Sequence, residues 1–166
     1  MLPEVEARDL QAAFSYDPDT GVFRWRISPN RRIPAGSVAG GRALNGYKYL
    51  ALNGRKYLAA RVAWLFVHGY WPAENIDHVS RDKTDNRLSN LRLASVAQNN
   101  ANSRTRRHNR SGLKGVSARG NKFAAFVTIG RKQHYLGTFL DARQAHAAYI
   151  YAARRLHGEF AHGGEP

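Results

Sequence analysis

The sequence contains no cysteine. Disulfide bonds and the cysteine-based zinc sites of some nucleases and DNA-binding modules are therefore excluded. No apolar run approaches the roughly 18 residues that a membrane-spanning helix needs, and the N-terminal segment MLPEVEARDL lacks the apolar core of a signal peptide. We therefore expect a protein of the cytoplasm, with no membrane partner.

Acidic residues are also scarce, with 12 Asp and Glu against 26 Lys and Arg, which gives a formal net charge of +14. A surplus of this size favours polyanionic partners. Residues 104–166 contain 12 basic and 3 acidic residues, so they hold most of this charge. Hydrophobic residues make up 43% of the 166 positions, enough to build the core of one domain or of two small ones.

The first 75 residues alternate between periodic apolar segments and turn residues. Asn53-Gly54 is the strongest two-residue hairpin signal, and Gly69 and Pro72 are typical of the end of a helix. The predicted elements are a helix at 3–14, a turn at 16–21, a strand at 22–27, a basic loop at 28–46, hairpin strands at 47–52 and 55–58, and a helix at 59–68.

The most informative segment is IDHVSRDKTDNRLSNLRLASVAQNN, residues 76–100. Its pattern predicts a strand, a long polar loop, a short second strand and a helix capped by Ser95. Asp77 offers a hard oxygen ligand for a divalent cation, and the imidazole of His78, with an ordinary pKa of about 6.5, is suited to act as a base. An isolated Asp-His pair is typical of solvated surface, so the motifs that follow it decide its interpretation.

The last third of the chain begins with SRTRRHNRSG, which has four arginines and almost nothing apolar. We place a domain boundary in this basic segment. The pattern beyond it predicts three short strands at 113–118, 122–129 and 132–139, and then a helix from the N-cap Asp141 to about His157. Its apolar stripe is Ala145, Ala148, Tyr149, Ala152 and Leu156.

Residues 45–103 resemble the ββα-metal core of HNH endonucleases, in the version found in phage homing endonucleases. The motifs that carry the resemblance are the Asp-His pair, then DNRLSNLR, then QNNAN, in this order and at compact spacing. The resemblance implies that Asp77 and Asn99 bind Mg²⁺ or Mn²⁺ and that His78 is the general base. It also implies that Asn90 ties the long loop to the hairpin and so keeps His78 aimed.

Other polar residues of the segment have a simpler interpretation. We expect Asp82, Asp85 and Asn86 to form turns of the loop rather than to bind metal, although Asn86 and Arg87 are also placed to brace the loop or to touch phosphate. One departure from the family stands out. Related proteins often have His before the Arg of the preceding helix, where this chain has Ala60.

Residues 112–161 are similar to the DNA-binding domain of plant ethylene-response (Apetala-two) factors. The landmarks are LysGlyVal, PheAlaAla, LeuGlyThrPhe and the Ala-rich helix. The resemblance implies a three-stranded antiparallel sheet in the DNA major groove, backed by the helix, an arrangement that the groove admits. The implied contact residues are Lys114, Ser117, Arg119, Lys122, Thr128, Gln133, Tyr135 and Thr138. Plain solvation of these side chains is the alternative.

The predicted fold class is α+β, with an HNH ββα-metal nuclease domain followed by a small three-stranded antiparallel sheet plus helix. The predicted domains are 1–103 and 112–162, joined by a basic linker at 104–111. Within that linker, Arg104, Arg106, Arg107 and Arg110 either contact DNA or form a solvated tether.

The predicted function is a site-directed endonuclease of the homing type, in a bacterial or phage-infected cell, that binds double-stranded DNA and nicks it. A monomer and a homodimer both remain open, and a dimer would allow a double-strand break. The first alternative is a DNA-binding regulator that keeps the nuclease fold without cutting. A third possibility, an RNA-binding protein, fits less well because the deep major groove of RNA is closed to a sheet.

Overall fold

The structure is a computed structural model that describes residues 7–103, 105, 108–129 and 132–163. The chain divides into two compact units between Leu93 and Ala94. No helix among the described residues is long and apolar enough to cross a membrane. The mixed helix-and-sheet class predicted from the sequence is confirmed.

The first unit contains three small sheets around two helices. Strands β1 and β2 form an antiparallel hairpin, β3, β4 and β5 form a second sheet in that order, and β6 pairs with β7 in a third. The elements are α1 (Ala7–Ala13), β1 (Phe14–Asp17), β2 (Val22–Trp25), β3 (Gly41–Arg42), β4 (Lys48–Leu52), β5 (Arg55–Leu58), α2 (Ala59–His68), β6 (Asn75–His78), a 3₁₀ turn (Leu88–Asn90) and β7 (Leu91–Ala94).

The core of this unit forms where α2 packs its apolar face on the sheets and on α1. Leu10, Phe14, Leu50, Val62 and Leu65 are all buried within one cluster. Full burial of each such side chain stabilises the fold by about 1.5–3 kcal/mol. The predicted bounds of α2 and of the β4–β5 hairpin are confirmed to within one residue.

Two local predictions in this unit are wrong. Phe14 starts β1 rather than ending the helix, because it pairs with Trp25 across the β1–β2 hairpin. The loop predicted at 28–46 contains β3, which pairs with β4. In the same loop the Ala39 amide donates to the Phe23 carbonyl at 2.8 Å. Both differences arise from strand pairing, which local periodicity does not report.

The second unit consists of a short helix, a three-stranded antiparallel sheet in the order β10-β9-β8, and a long helix. Asp141 caps the long helix by accepting hydrogen bonds from the amides of Arg143 and Gln144, as its position in the sequence predicts. The elements are α3 (Val96–Asn102), β8 (Val116–Arg119), β9 (Lys122–Ile129), β10 (Lys132–Phe139), α4 (Ala142–His157) and a 3₁₀ turn (Gly158–Phe160).

Helix α4 packs on one face of the sheet. Ala125 of β9 packs against Ala145, and Val127 packs against Tyr149. Leu156 is largely exposed and Ala153 is buried in its place, so the predicted apolar stripe is wrong at its C-terminal end.

The division between the units precedes the basic segment in which the sequence predicts a linker. Helix α3 belongs to the second unit. There the His162 amide donates to the Ala101 carbonyl at 3.3 Å. The ammonium of Lys114 also donates to the Ala101 carbonyl, at 2.5 Å. The domain bounds 1–103 and 112–162 remain a prediction.

Candidate active site

Asp77 and His78, the last two residues of β6, are both buried, with 3% and 4% of their surface exposed. Successive side chains of a strand point to opposite faces of the sheet, so burial of both means that each face is covered here. Neither residue is solvated surface.

Asp77 forms an ion pair with the neighbouring strand. The Arg92 Nε donates to Asp77 Oδ2 at 3.0 Å, and both side chains are largely buried. Arg92 had no predicted role, although its position on the short strand that pairs with β6 makes it a natural partner. Burial of a carboxylate is costly, and the cation of Arg92 offsets part of that cost.

His78 is held by a side-chain amide from the polar loop. Asn86 Oδ1 lies 3.2 Å from His78 Nε2, a distance at which the ring donates to this oxygen in the tautomer that carries its hydrogen on Nε2. Burial lowers the pKa of His78 below its ordinary value of 6.5, while the bond to Asn86 and the charge of Asp77 oppose this shift. The imidazole is therefore neutral near pH 7, the form that accepts a proton.

Tyr47 and Lys83 lie beside His78 in the first unit. The Tyr47 ring centroid is 5.8 Å from that of His78, and Lys83 Nζ lies 4.3 Å from the Tyr47 ring. Burial, followed by the charge of Asp77, raises the pKa of Tyr47, so its hydroxyl stays protonated at neutral pH. Lys83 thus places a cation over Tyr47, the aromatic neighbour of the imidazole.

Asn90 bonds to the start and to the middle of the loop between β6 and β7. Its Oδ1 accepts from the Ser80 amide at 2.8 Å, and its Nδ2 donates to the Asp85 carbonyl at 2.8 Å. Its own carbonyl accepts from the Val79 amide at 2.9 Å. These bonds fix the residues that directly follow His78.

The acidic residues of the loop are occupied by turns, as the sequence analysis expects. Asp82 Oδ1 accepts from the amide and the hydroxyl of Thr84, and Asp85 forms a double hydrogen bond to the Arg87 guanidinium. The Thr84 bonds lower the pKa of Asp82, and the Arg87 bond lowers that of Asp85. Both carboxylates are therefore engaged within the loop.

Asn99 stands on α3 in the second unit and is half-buried. The helix begins with a capping box in which Ser95 Oγ accepts from the Gln98 amide and the Gln98 side chain accepts from the Ser95 amide. This cap fixes where the helix starts and so the position of Asn99 along it. The role of Asn99 as a metal ligand stays a prediction.

Asp77 offers a carboxylate of the chemical type that binds a hard divalent ion. Across the described residues, no three His, Asp or Glu side chains cluster in a way that could hold a metal ion. Mg²⁺ in phosphoryl chemistry is commonly bound by one or two protein oxygens, with waters and phosphate oxygens as the other ligands. The buried carboxylate of Asp77 is the type of hard oxygen donor that suits such an ion.

Seven of the predicted DNA-contact residues share one exposed face of the β8-β9-β10 sheet. Directly paired residues of neighbouring strands face the same side. The pairs on the face opposite α4 are Ser117 with Ala124, Arg119 with Lys122, Thr138 with Ala124, Tyr135 with Phe126 and Gln133 with Thr128. All seven residues are exposed.

Part of this face is organised by side-chain contacts. The Phe126 and Tyr135 rings lie 5.7 Å apart, and the Arg119 guanidinium lies 5.9 Å from the Phe126 ring. The Tyr135 hydroxyl and Thr138 Oγ1 are 2.7 Å apart. This aromatic cluster was not predicted from the sequence.

Lys114, the eighth predicted contact residue, has a different environment. Its ammonium donates to the carbonyls of Asn100, Ala101 and Ser103 at the C-terminal end of α3, where a cation is favoured by the helix dipole. The predicted linker residue Arg110 is exposed. Arg104, Arg106 and Arg107 lie outside the described residues.

Comparison with known proteins identifies the family. The HNH endonuclease family model matches residues 57–101. Protein 3.8 of Escherichia phage T7 is 39% identical over 89 residues, which cover 52% of this chain and 72% of that protein. The chain belongs to the HNH endonuclease family. The uncharacterized HNH endonuclease L560 of Acanthamoeba polyphaga mimivirus is 34% identical over 98 residues, 58% of this chain and 51% of that protein. No solved structure matches.

The matches confirm the prediction of an HNH endonuclease domain with viral relatives. This family suggests a nuclease and implies a DNA substrate, and HNH nucleases generally use divalent metal ions. The segment that matches the HNH endonuclease model contains Asp77, His78, Asn90 and Asn99. It contains neither the β1–β2 hairpin nor the β8-β9-β10 sheet.

Proposed function

We propose that this HNH endonuclease hydrolyses a DNA phosphodiester with His78 as general base and with Asp77 and Asn99 as ligands of a Mg²⁺ or Mn²⁺ ion. The observation that carries the proposal is the buried end of β6, where Asp77 lies beside an imidazole kept neutral by burial. A neutral base next to a buried carboxylate is the pair that metal-assisted hydrolysis needs.

The chain's own residues supply the proton transfer. His78 accepts a proton from water while the water oxygen attacks phosphorus, and the 3′ oxygen departs on the opposite side. An ion held by Asp77 and Asn99 would neutralise charge on the scissile phosphate and on the departing oxygen. Asn90 keeps Val79 and Ser80 in place and thereby fixes the end of β6. Lys83 supplies a nearby cation for the DNA backbone.

The second unit is proposed to hold the DNA. The exposed face of the β8-β9-β10 sheet carries Arg119 and Lys122 next to an aromatic pair, and the segment from residue 104 onward is strongly basic. Site-directed cleavage of the homing type follows if this face reads a sequence while His78 cuts elsewhere along the duplex. One Asp-His pair per chain makes a nick the product of a monomer.

Metal-dependent cleavage tests this function directly. Supercoiled plasmids with randomised inserts are incubated with the full chain and Mg²⁺ or Mn²⁺, with and without a chelator. We expect relaxed circles that require the metal, and their loss in Asp77→Ala while DNA binding in a gel-shift assay persists. Cleavage that survives chelation, or that is equal in Asp77→Ala, would refute the metal role of Asp77.

A second function is favoured by two observations. Asp77 is already paired with Arg92, and Ala60, which replaces the family His, is buried in the core. Both suit a DNA-binding regulator that retains the HNH fold without cutting. Binding to duplex DNA with no metal-dependent product from any insert would support this alternative over the nuclease.

A further inference from the structure

The β1–β2 hairpin contacts the polar loop at residues 86–88, on the segment that holds His78. The Tyr16 hydroxyl donates to the Asn86 carbonyl at 2.7 Å, although the two residues are 70 positions apart. The Leu88 amide donates to the Pro18 carbonyl at 2.9 Å. The hairpin therefore holds this segment of the loop from both sides of Arg87.

Gly21 makes this contact a close one. A Cβ atom at position 21 would lie 2.4 Å from the Arg87 amide nitrogen and 2.5 Å from the Asn86 carbonyl carbon. Both neighbours are backbone atoms, so no side-chain rotation relieves the overlap. The turn between β1 and β2 is ordered by Asp17, whose carboxylate accepts from the Thr20 hydroxyl at 2.7 Å. A rigid turn is thus pressed against the loop at Asn86.

The Asn86 side chain is buried beneath this contact, with 2% of its surface exposed. Its Oδ1 meets His78 Nε2, while its Nδ2 is buried with no hydrogen-bond partner within the described part of the chain. An unsatisfied buried donor costs about 1–3 kcal/mol. Such a group persists when the surrounding fold imposes its position, and here the hairpin imposes it.

We propose that the β1–β2 hairpin positions the ring of His78 through Asn86. Asn86 is a positioning residue: its Oδ1 accepts the Nε2 hydrogen, so the neutral ring carries its basic lone pair on Nδ1. The hairpin lies outside residues 57–101, the segment that matches the HNH endonuclease model. The residues of the hairpin that position Asn86 are therefore supplied from outside the matched segment. The catalytic meaning of the tautomer rests on the proposed role of His78.

Ring nitrogen spectra of the metal-free full chain test the proposal without any cleavage. The protein is ¹⁵N-labelled, the histidine signals are recorded near pH 7.5, and His78→Gln identifies the His78 signals. We expect wild type to show the Nε2–H tautomer. Asn86→Leu should give a mixture of both tautomers, while Asn86→Asp, which keeps an acceptor at the same place, should restore Nε2–H.

Two matched pairs test the hairpin itself. Gly21→Ala is compared with Gly54→Ala, since both positions have φ near +70° (+68° and +76°) but only Gly21 has atoms within 4 Å of the new methyl group. Tyr16→Phe is compared with Tyr57→Phe, since the Tyr57 hydroxyl is buried with no hydrogen-bond partner in the residues that the structure describes. The first member of each pair should broaden or shift the His78 signals, and the second should leave them unchanged.

The outcomes separate this proposal from the proposed function. If folded Asn86→Leu keeps the wild-type tautomer, or if Gly21→Ala and Tyr16→Phe leave the His78 signals untouched, the positioning role is overturned whether or not the protein cuts DNA. If the tautomer responds as expected but wild type shows no metal-dependent cleavage, only the function fails. In an active enzyme, Tyr16→Phe should lower kcat with little change in KM, since ring misplacement weakens proton transfer rather than binding.

Discussion

Arg92 and Asp77 form a buried ion pair in which the Arg92 Nε lies 3.0 Å from Asp77 Oδ2. The carboxylate proposed to bind a metal ion is therefore neutralised by a cation of the fold itself. In the metal-free protein Arg92 offsets the burial of this charge. If a divalent ion binds Asp77 as proposed, the carboxylate would have two cations beside it, and stability and metal affinity would be coupled through this pair.

Arg92→Leu should destabilise the metal-free protein by about 3–5 kcal/mol, because it removes the guanidinium that forms an ion pair with a buried carboxylate. Urea denaturation measures this loss. Added Mn²⁺ should recover more stability in Arg92→Leu than in wild type, since the ion then replaces the missing cation. Arg87→Leu is the matched control: its pair with Asp85 is largely exposed on the Arg87 side, and such pairs contribute about 0–1 kcal/mol. Equal losses in the two variants would contradict the account of Asp77.

Asn90→Ala should loosen the loop at the end of β6. The substitution removes both side-chain bonds, to the Ser80 amide and to the Asp85 carbonyl, at a cost of about 1–3 kcal/mol. Hydrogen exchange measures the local effect. When the two proteins are compared under conditions that give them the same free energy of unfolding, the Ser80 amide should exchange faster in the variant than in wild type. Unchanged protection of Ser80 would show that Asn90 does not hold this segment.

The stability of the metal-free protein should depend on pH through His78. Burial lowers its folded-state pKa below 6.5. At pH values between the folded-state pKa and 6.5, the unfolded chain therefore binds more protons than the folded one. The free energy of unfolding is then highest above about pH 6.5 and falls as the pH drops through the folded-state pKa, by up to about 1.4 kcal/mol per pH unit. Urea denaturation between about pH 7.5 and pH 5.5 should show a smaller loss in His78→Gln than in wild type.

The acidic groups of the loop titrate below the pH range in which wild type and His78→Gln are compared. The pKa values of Asp82 and Asp85 are lowered from 3.8, so their contributions to stability persist above that value and are lost only at lower pH. An identical pH dependence in wild type and His78→Gln would mean that the imidazole titrates in the fold as it does in water.

Arg119 should contribute to DNA binding, whereas Lys114 should contribute to the stability of the fold. Arg119→Ala should weaken DNA binding and reduce the slope of log affinity against log salt by about one, if its guanidinium contacts a phosphate. Lys114→Met should lower the free energy of unfolding instead, because its ammonium caps α3. Fluorescence anisotropy at several salt concentrations and urea denaturation check the two outcomes. An unchanged salt slope in Arg119→Ala would count against phosphate contact by this face.

The sequence was sufficient where local pattern determines structure. The hairpin at Asn53-Gly54, helix α2, the Ser95 cap and helix α4 follow from turn chemistry, apolar periodicity and capping residues. The Asp-His pair was found through its chemistry and Asn90 through the resemblance to HNH endonucleases, and that family is confirmed, while the homing type stays a prediction.

The parts that the sequence did not reveal depend on distant contacts. The bond from Tyr16 to Asn86 joins residues 70 positions apart, and no periodicity points to it. Gly21 resembles any other turn glycine until the loop is placed against it. The partnership of Asn86 with His78 was equally hidden, because an Asn in a polar loop is usually a turn-former.

Single-turnover nicking of supercoiled plasmid by His78→Ala tests the central claim most directly. With Mg²⁺ present and DNA binding unchanged, loss of the general base should slow cleavage on the order of 10²–10⁴-fold, whereas His68→Ala, at the exposed end of α2, should cut as wild type does. Equal cleavage by His78→Ala and wild type would contradict the assignment of the base.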